Sequence, residues 1–173
     1  MLPTLLETTV NVSAGSAGSL AVVVGAAIAA VGAVSVYWLQ TRAAARERKR
    51  KMCAQALGDA LAWLELPYRV RRRTSDTAQT LAGLAAHAHD LQEKLLFHSS
   101  WLCIELPDIG RRYNELLVLL KNSASEPLRE AWNTPATATP QDMNVGELFS
   151  RKPVDAKIQE FCDQVAKELK RLF

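Results

Sequence analysis

The first strong pattern in the chain is an uncharged apolar run from Leu20 to Leu39, with the sequence LAVVVGAAIAAVGAVSVYWL. A helix rises about 1.5 Å per residue, so this run spans roughly 30 Å, the thickness of the hydrocarbon core of a bilayer. Tyr37 and Trp38 end the run, where aromatic rings favour the membrane interface. The pattern predicts a transmembrane helix over residues 20–39, preceded by a short extracytoplasmic tail over residues 1–19. The residues that mark this anchor are Leu20, Gly25, Gly32, Trp38 and Leu39.

Beyond the apolar run, hydrophobic residues recur every three to four positions, which is the spacing of one face of an α-helix. The first such stripe continues the transmembrane helix, and Pro67 is expected to end it because proline removes a backbone hydrogen bond. That stripe consists of Cys53, Leu57, Leu61 and Leu64. A second stripe covers three heptads of the coiled-coil type and should end before Pro107. Its members are Leu81, Leu84, Ala88, Leu91, Leu95, His98 and Leu102.

Two further helices are predicted in the C-terminal half of the chain. One should cover residues 108–122, with two more turns over 125–132, and the polar, proline- and threonine-rich stretch 133–146 should form a loop. The last is an amphipathic helix in the segment 147–173 that should begin near Pro153. The chain is therefore predicted to be all-α, with a single N-terminal transmembrane helix followed by a cytoplasmic antiparallel bundle of about four helices.

The sequence places the core of this bundle in residues 52–132, joined to the anchor by a basic juxtamembrane segment, 40–51. The position of the C-terminal helix is left open by the pattern. It can fill the remaining groove of the bundle, pair with a partner protein, or lie on the membrane. Each of these places would cover its apolar face.

Positive charge is concentrated directly after the apolar run. Residues 1–39 contain no Lys or Arg, whereas from Met52 onward 15 basic residues face 16 acidic ones. The positive-inside rule therefore puts the C-terminus in the cytoplasm and the N-terminus outside, as in a single-pass protein of the cell membrane. The basic run between these regions can also contact membrane lipid, and the near-neutral remainder argues against nucleic-acid binding. The run consists of Arg42, Arg46, Arg48, Lys49, Arg50 and Lys51.

Small residues recur at every fourth position along one face of the predicted anchor. This spacing lets two helix backbones approach closely and is typical of transmembrane helices that associate. In a segment so rich in alanine the same spacing also arises by chance, so self-association is one of two interpretations. The residues of this face are Ala17, Ala21, Gly25, Ala29 and Ala33.

The second cytoplasmic helix carries the best candidate metal ligands, His87, Asp90 and His98. His87 and Asp90 have the i, i+3 spacing that lets an imidazole and a carboxylate share an ion. His98 lies about 16 Å further along the helix, and Lys94 between them would repel a cation. We favour a polar flank of an amphipathic helix, and predict no metal or other cofactor. His98→Leu is then expected to leave stability unchanged or raised, unless a good hydrogen bond is lost.

Two other groups of residues are interpreted as structural. The three cysteines, Cys53, Cys103 and Cys162, fit no metal or redox spacing and are expected to be small, buried and reduced. A second basic cluster follows the first cytoplasmic helix and is interpreted as part of a solvated loop, with binding in the cytosol or to the bilayer as alternatives. It consists of Arg69, Arg71, Arg72 and Arg73.

No motif for nucleophilic catalysis, nucleotide binding or metal-dependent catalysis occurs in the sequence. We therefore predict a non-enzymatic, membrane-tethered helical scaffold or regulatory module that binds a protein partner at the cytoplasmic face. One alternative is a membrane effector, pore-forming or holin-like, in which transmembrane helices assemble. A further alternative is a metal-dependent helical-bundle enzyme that uses the polar flank of the long helix.

Overall fold

The structure, a computed structural model, describes residues 14–139 and 141–171, apart from the side chains of residues 14–24, 26 and 27. Over these residues the chain has helices and no strand, so the prediction of an all-α helical bundle is confirmed. The chain divides after Ala45 into two compact units. The helices are α1 (Ala14–Arg71), α2 (Ala78–Glu105), α3 (Pro107–Asn133) and α4 (Lys152–Arg171).

The first unit is described as a helical segment of α1. Its side chains from residue 28 to residue 44 are all exposed, and the large apolar ones are strongly so, for example Ile28 at 68% and Tyr37 at 69%. At the end of the apolar run the Arg42 guanidinium lies 3.5 Å from the ring centroid of Trp38. This distance is typical of a cation–π contact, so the side chain of Arg42, the first arginine of the basic run, stacks on the indole ring of Trp38.

The predicted transmembrane span and its face of small residues fall partly outside the described residues. The side chains of residues 20–24, 26 and 27 belong to that part, and so does the side chain of Ala17. Gly25, Ala29 and Ala33 are described and exposed. Within the described residues, no helix has the combination of length and apolarity needed to cross a bilayer.

The second unit is an antiparallel arrangement in which each helix reverses the direction of the one before. Lys49 of α1 lies 3.6 Å from Glu105 at the end of α2, whereas Arg69 of α1 contacts His87 near the start of α2. Helices α3 and α4 are likewise antiparallel, because Glu115 pairs with Lys157 and the earlier Arg112 pairs with the later Glu160. The contact of Arg151 with Glu65 then brings α4 back beside α1.

The core of this unit is built from the predicted stripes. Leu91, Leu95, His98 and Leu102 of the second stripe are buried, as are Val154, Phe161 and Leu169 of α4. The Tyr113 ring on α3 packs against the Phe161 ring with centroids 5.6 Å apart. The C-terminal helix therefore fills a groove of the bundle, which decides among the three places that the sequence left open.

The prediction that Pro67 ends the first cytoplasmic helix was wrong. Helix α1 continues to Arg71, and Pro67 is buried within its last turns. Proline removes one backbone hydrogen bond there. The extra turn buries Val70, which is 0% exposed, and this burial offsets the lost bond.

The third helix was also predicted too short. Helix α3 runs without interruption from Pro107 to Asn133, through Pro127, rather than breaking near residue 122. The residues on either side of the expected break lie on one buried face: Leu120, Ala124 and Ala131 are at most 2% exposed. Packing of this face outweighs the low helix propensity of the Asn122-Ser123 step and of proline.

Candidate functional site

The cluster formed by Arg69, Arg71, Arg72 and Arg73, here called the arginine segment, is more ordered than the predicted solvated loop. It spans the last turn of α1 and the start of the connection to α2. Each of the four guanidinium groups makes a hydrogen bond to another part of the second unit. The interpretation of the cluster as a merely solvated loop is therefore corrected. Arg69 connects α1 to α2, and the other three arginines connect it to the end of α3 and the loop that follows.

Arg73 is the buried centre of this segment, with its side chain only 4% exposed. It donates hydrogen bonds to the carbonyl oxygens of Ala131, Trp132 and Thr134, which lie at the C-terminal end of α3 and have no helical partner further on. It also donates to Val70 at the end of α1. One guanidinium thus satisfies carbonyls of two helix ends and joins them.

Asp76 and Thr137 complete the same network around Arg73. The Asp76 carboxylate accepts from Arg73 Nε at 2.6 Å and from the backbone amide of Ala136 at 2.9 Å. These bonds, the amide of Ala136 first and Arg73 second, lower the pKa of Asp76. Thr137 returns two hydrogen bonds to the carbonyl of Arg73, from its amide at 2.8 Å and its hydroxyl at 2.9 Å. The loop after α3 is therefore fixed against the turn between α1 and α2.

Two other arginines of the segment line an open cavity of about 560 Å³ between α1 and α2, together with Ala62, Glu65, Leu66 and His87. Arg69 Nη1 lies 2.6 Å from His87 Nε2. A guanidinium only donates, so His87 Nε2 is the acceptor in this hydrogen bond. Arg72 Nε donates to the carbonyl of Met143 at 3.1 Å, and its guanidinium carbon lies 5.7 Å from the ring centroid of Tyr68.

His98 forms a polar pair inside the bundle. Its Nε2 lies 2.9 Å from Asp59 Oδ2, and the side chains are 7% and 25% exposed. The other ring nitrogen, Nδ1, is buried without a hydrogen-bond partner among the described residues. Nearby, the hydroxyl of Tyr113 donates to the carbonyl of Ala56 at 3.1 Å, and burial, followed by the charge of Asp59, raises the pKa of that hydroxyl.

The three candidate metal ligands are not brought together. His87 contacts Arg69, Asp90 pairs with Lys94 at 2.8 Å, and His98 pairs with Asp59. In the described part of the chain, no group of three or more His, Cys, Asp or Glu side chains is placed to hold a metal ion. His87 and His98 instead contact α1, whereas Asp90 pairs within α2.

The cysteines differ in environment. Cys53 is buried as expected, and this burial raises the pKa of its thiol to about 11, which keeps it protonated and unreactive at neutral pH. Cys162 is half-buried, and burial raises its pKa as well. Cys103 was expected to be buried but is exposed, and its thiol accepts a hydrogen bond from the Asn114 amide on α3 at 3.4 Å.

Within the basic run, Lys49 makes local contacts, whereas other residues are exposed to solvent. Lys49 donates to the backbone carbonyl of Glu105 at 3.5 Å, in addition to the ion pair with its side chain. Arg48, Arg50 and Lys51 are exposed. This exposure leaves three cationic side chains available on the surface of the second unit.

Replacement of His98 by leucine is expected to lower the free energy of unfolding by about 1–2 kcal/mol, because the partly buried carboxylate of Asp59 loses its partner. The condition attached to the sequence-based expectation, that no good hydrogen bond is lost, is not met. Removing both partners in the double variant Asp59→Ala/His98→Leu should recover most of the loss.

The measurement is chemical denaturation followed by tryptophan fluorescence. His89→Leu is the matched control, because His89 is 72% exposed and its ion pair, with Glu93, lies within the same helix. Its effect should stay within about 0.5 kcal/mol. A double variant less stable than His98→Leu alone would show that the loss of stability does not come from leaving the Asp59 carboxylate unpaired.

Comparison with known protein families, curated proteins and solved structures found no match. The functional inferences therefore rest on the residues themselves. The sequence did not indicate Asp59 as the partner of His98, since the two lie on different helices, and it did not indicate the burial of Arg73. The only feature of the sequence that pointed to the cavity between α1 and α2 was the cluster of arginines at 69–73.

Proposed function

We propose that the chain is a single-pass membrane protein whose helical bundle is a non-enzymatic scaffold or regulatory module for a protein partner at the cytoplasmic face. The observation that carries this proposal is the exposure of every described side chain from residue 28 to residue 44 of α1. Residues 28–39 of this stretch are largely apolar, and Val31, Val34 and Leu39 are each more than 60% exposed. A helix that is apolar all round requires a covering that water does not provide.

Lipid is the covering that fits the sequence of this segment. The uncharged run of twenty residues has the length of a bilayer crossing, and it ends in Tyr37 and Trp38 followed by the basic run. The absence of Lys and Arg from residues 1–39 supports an N-terminus outside and a C-terminus in the cytoplasm. Exposed Arg48, Arg50 and Lys51 would then be close to anionic headgroups.

A partner-binding role for the bundle is supported by its surface. Four large apolar side chains on α2 and α3 are between 56% and 78% exposed: Leu96, Phe97, Ile104 and Val118. Exposed apolar residues of this kind are frequent where proteins bind one another. The interior polar groups Arg73 and His98 have structural partners within the bundle, which supports a scaffold over an enzyme.

Exchange of residues 20–39 for an unrelated transmembrane helix of the same orientation should preserve membrane attachment and the set of proteins cross-linked to the bundle. The reason is that a tether needs only length and apolarity, whereas the partner is recognised by the bundle. A replacement anchor of reversed orientation should abolish the cross-links, because the bundle would face the wrong compartment.

Dye release from liposomes containing the full chain distinguishes the membrane-effector alternative. The tether proposal expects no release by either the natural chain or the exchanged one. Release by the natural chain that the exchanged anchor cannot reproduce would favour assembly of a pore through the native helix, and would contradict the tether.

A further inference from the structure

The cavity between α1 and α2 has a wall with more positive charge than its own acidic groups balance. Arg69 and Arg72 both line it, and in the described part of the chain neither guanidinium lies within 4 Å of a carboxylate. The one acidic residue of the wall, Glu65, is paired at 3.1 Å with Arg151, which does not line the cavity. Two positive charges in the wall are therefore left without a counter-charge.

Both arginines are held in place by contacts that leave their charge intact. Arg69 is fixed by its hydrogen bond to the imidazole of His87, and Arg72 by the carbonyl of Met143 and the ring of Tyr68. Arginines positioned in advance lose little side-chain entropy when they bind an anion. A histidine that accepts from an arginine adds a further polar group without adding a negative charge.

The size and polarity of the cavity limit the ligand. Its volume of about 560 Å³ is larger than a bare inorganic anion needs and lies in the range typical of small-molecule sites. Ala62 and Leu66 provide an apolar part of the wall beside the two guanidiniums. The geometry points to a binding site for a small phosphate-bearing anion, in which Arg69 and Arg72 bind the phosphate oxygens and the apolar wall contacts the organic part.

Phosphate matches this wall in charge and in its need for hydrogen-bond donors. A phosphate group carries up to two negative charges near neutral pH, which equals the unbalanced charge of the wall. Guanidinium groups bind phosphate oxygens through paired, charge-assisted hydrogen bonds. The phosphate can belong to a soluble metabolite or to the headgroup of a phospholipid, and the chemistry of recognition is the same.

The test uses the full chain in a non-ionic amphipol and isothermal titration with pyrophosphate. Saturable binding at one site is expected for the natural protein. Arg69→Gln and Arg72→Gln should each weaken it by about tenfold or more, because each removes a charge-assisted interaction. Arg111→Gln is the matched control, since Arg111 is 72% exposed, pairs with Asp108 on its own helix and lies outside the cavity. It should bind like the natural protein.

Circular dichroism checks that each variant is folded, and having two independent variants keeps the test valid if one of them is not. Absence of saturable binding up to about 10 mM pyrophosphate, or equal loss of binding in the Arg111→Gln control, would overturn the proposal. A parallel titration with dihexanoyl phosphatidic acid separates the two sources of phosphate. Binding about tenfold tighter than that of pyrophosphate assigns the site to a lipid headgroup, and weaker or equal binding to a soluble phosphorylated molecule.

Discussion

Replacing Arg73 with methionine is expected to lower the free energy of unfolding of the bundle by about 3–5 kcal/mol. Methionine has a similar length and no polar group, so the change removes the hydrogen bonds without opening a large cavity. The carbonyl oxygens of Ala131 and Trp132 would then lose this donor, and the carbonyl of Val70 would keep only the backbone amide of residue 73. Each buried carbonyl left unpaired costs roughly 1–3 kcal/mol.

The effect of Arg73→Met should extend beyond the lost bonds because of where they lie. Arg73 connects the end of α1 with the end of α3, and its Nε also donates to Asp76. Without the guanidinium the loop after α3 is attached to the α1–α2 turn by fewer bonds, which include those from Thr137 to the backbone carbonyl of residue 73 and from the amide of Ala136 to Asp76. Chain segments that are far apart in sequence, residues 73 and 131, would no longer be joined directly.

Urea denaturation of the full chain in non-ionic amphipol, followed by tryptophan fluorescence, measures this loss. Arg111→Met is the control, because its ion pair is exposed and within one helix, and exposed pairs contribute little. Arg73→Lys should fall between the two, since an ammonium keeps the charge but cannot reach several carbonyls at once. A loss for Arg73→Met no larger than for Arg111→Met would show that the buried network contributes nothing measurable.

The helical fold could be predicted from the spacing of apolar residues because burial follows that spacing. Of the seven members of the second stripe, the last four, from Leu91 to Leu102, are buried, and the first three, from Leu81 to Ala88, are half-buried. Helix ends were predicted less well. Proline was treated as a stop at Pro67, but the energy of a helix end is set jointly by local geometry and by what the next turn buries, here Val70.

The polar groups of the interior could not be predicted from one sequence. Arg73 has three arginine neighbours within four positions, and nothing local distinguishes the buried one from the others. What distinguishes it is the end of α3, nearly sixty residues later, whose unpaired carbonyls it satisfies. The His98–Asp59 pair likewise depends on how α1 and α2 align, which periodicity does not specify beyond the face involved.

Gly110 is a second position whose importance only the packing reveals. It lies one turn into α3, directly after the tight connection in which Leu106 alone separates α2 from α3. A Cβ added at Gly110 would lie 2.6 Å from the backbone nitrogen of Cys103 and 2.7 Å from its Cα. It would also lie 2.8 Å from the carbonyl carbon of Leu102. All three are backbone atoms, so no side-chain rotation can relieve the overlap.

Gly110→Ala is therefore expected to lower the free energy of unfolding by roughly 3 kcal/mol, at the upper end of the range for overpacked sites, because α2 and α3 must separate. The matched controls are Gly58→Ala and Gly83→Ala. Both glycines are exposed in helices, and no heavy atom lies within 4 Å of the Cβ that would be added.

The controls should be more stable than the natural protein by about 0.5–1 kcal/mol, since alanine loses less backbone entropy in a helix than glycine. The same substitution is thus expected to have opposite signs at Gly110 and at Gly58 or Gly83, measured by the same urea denaturation. If Gly110→Ala were as stabilising as the controls, α2 and α3 could not approach as closely as the contact with Cys103 requires. The difference in sign isolates the helix contact, because the intrinsic preference for alanine over glycine acts at all three positions.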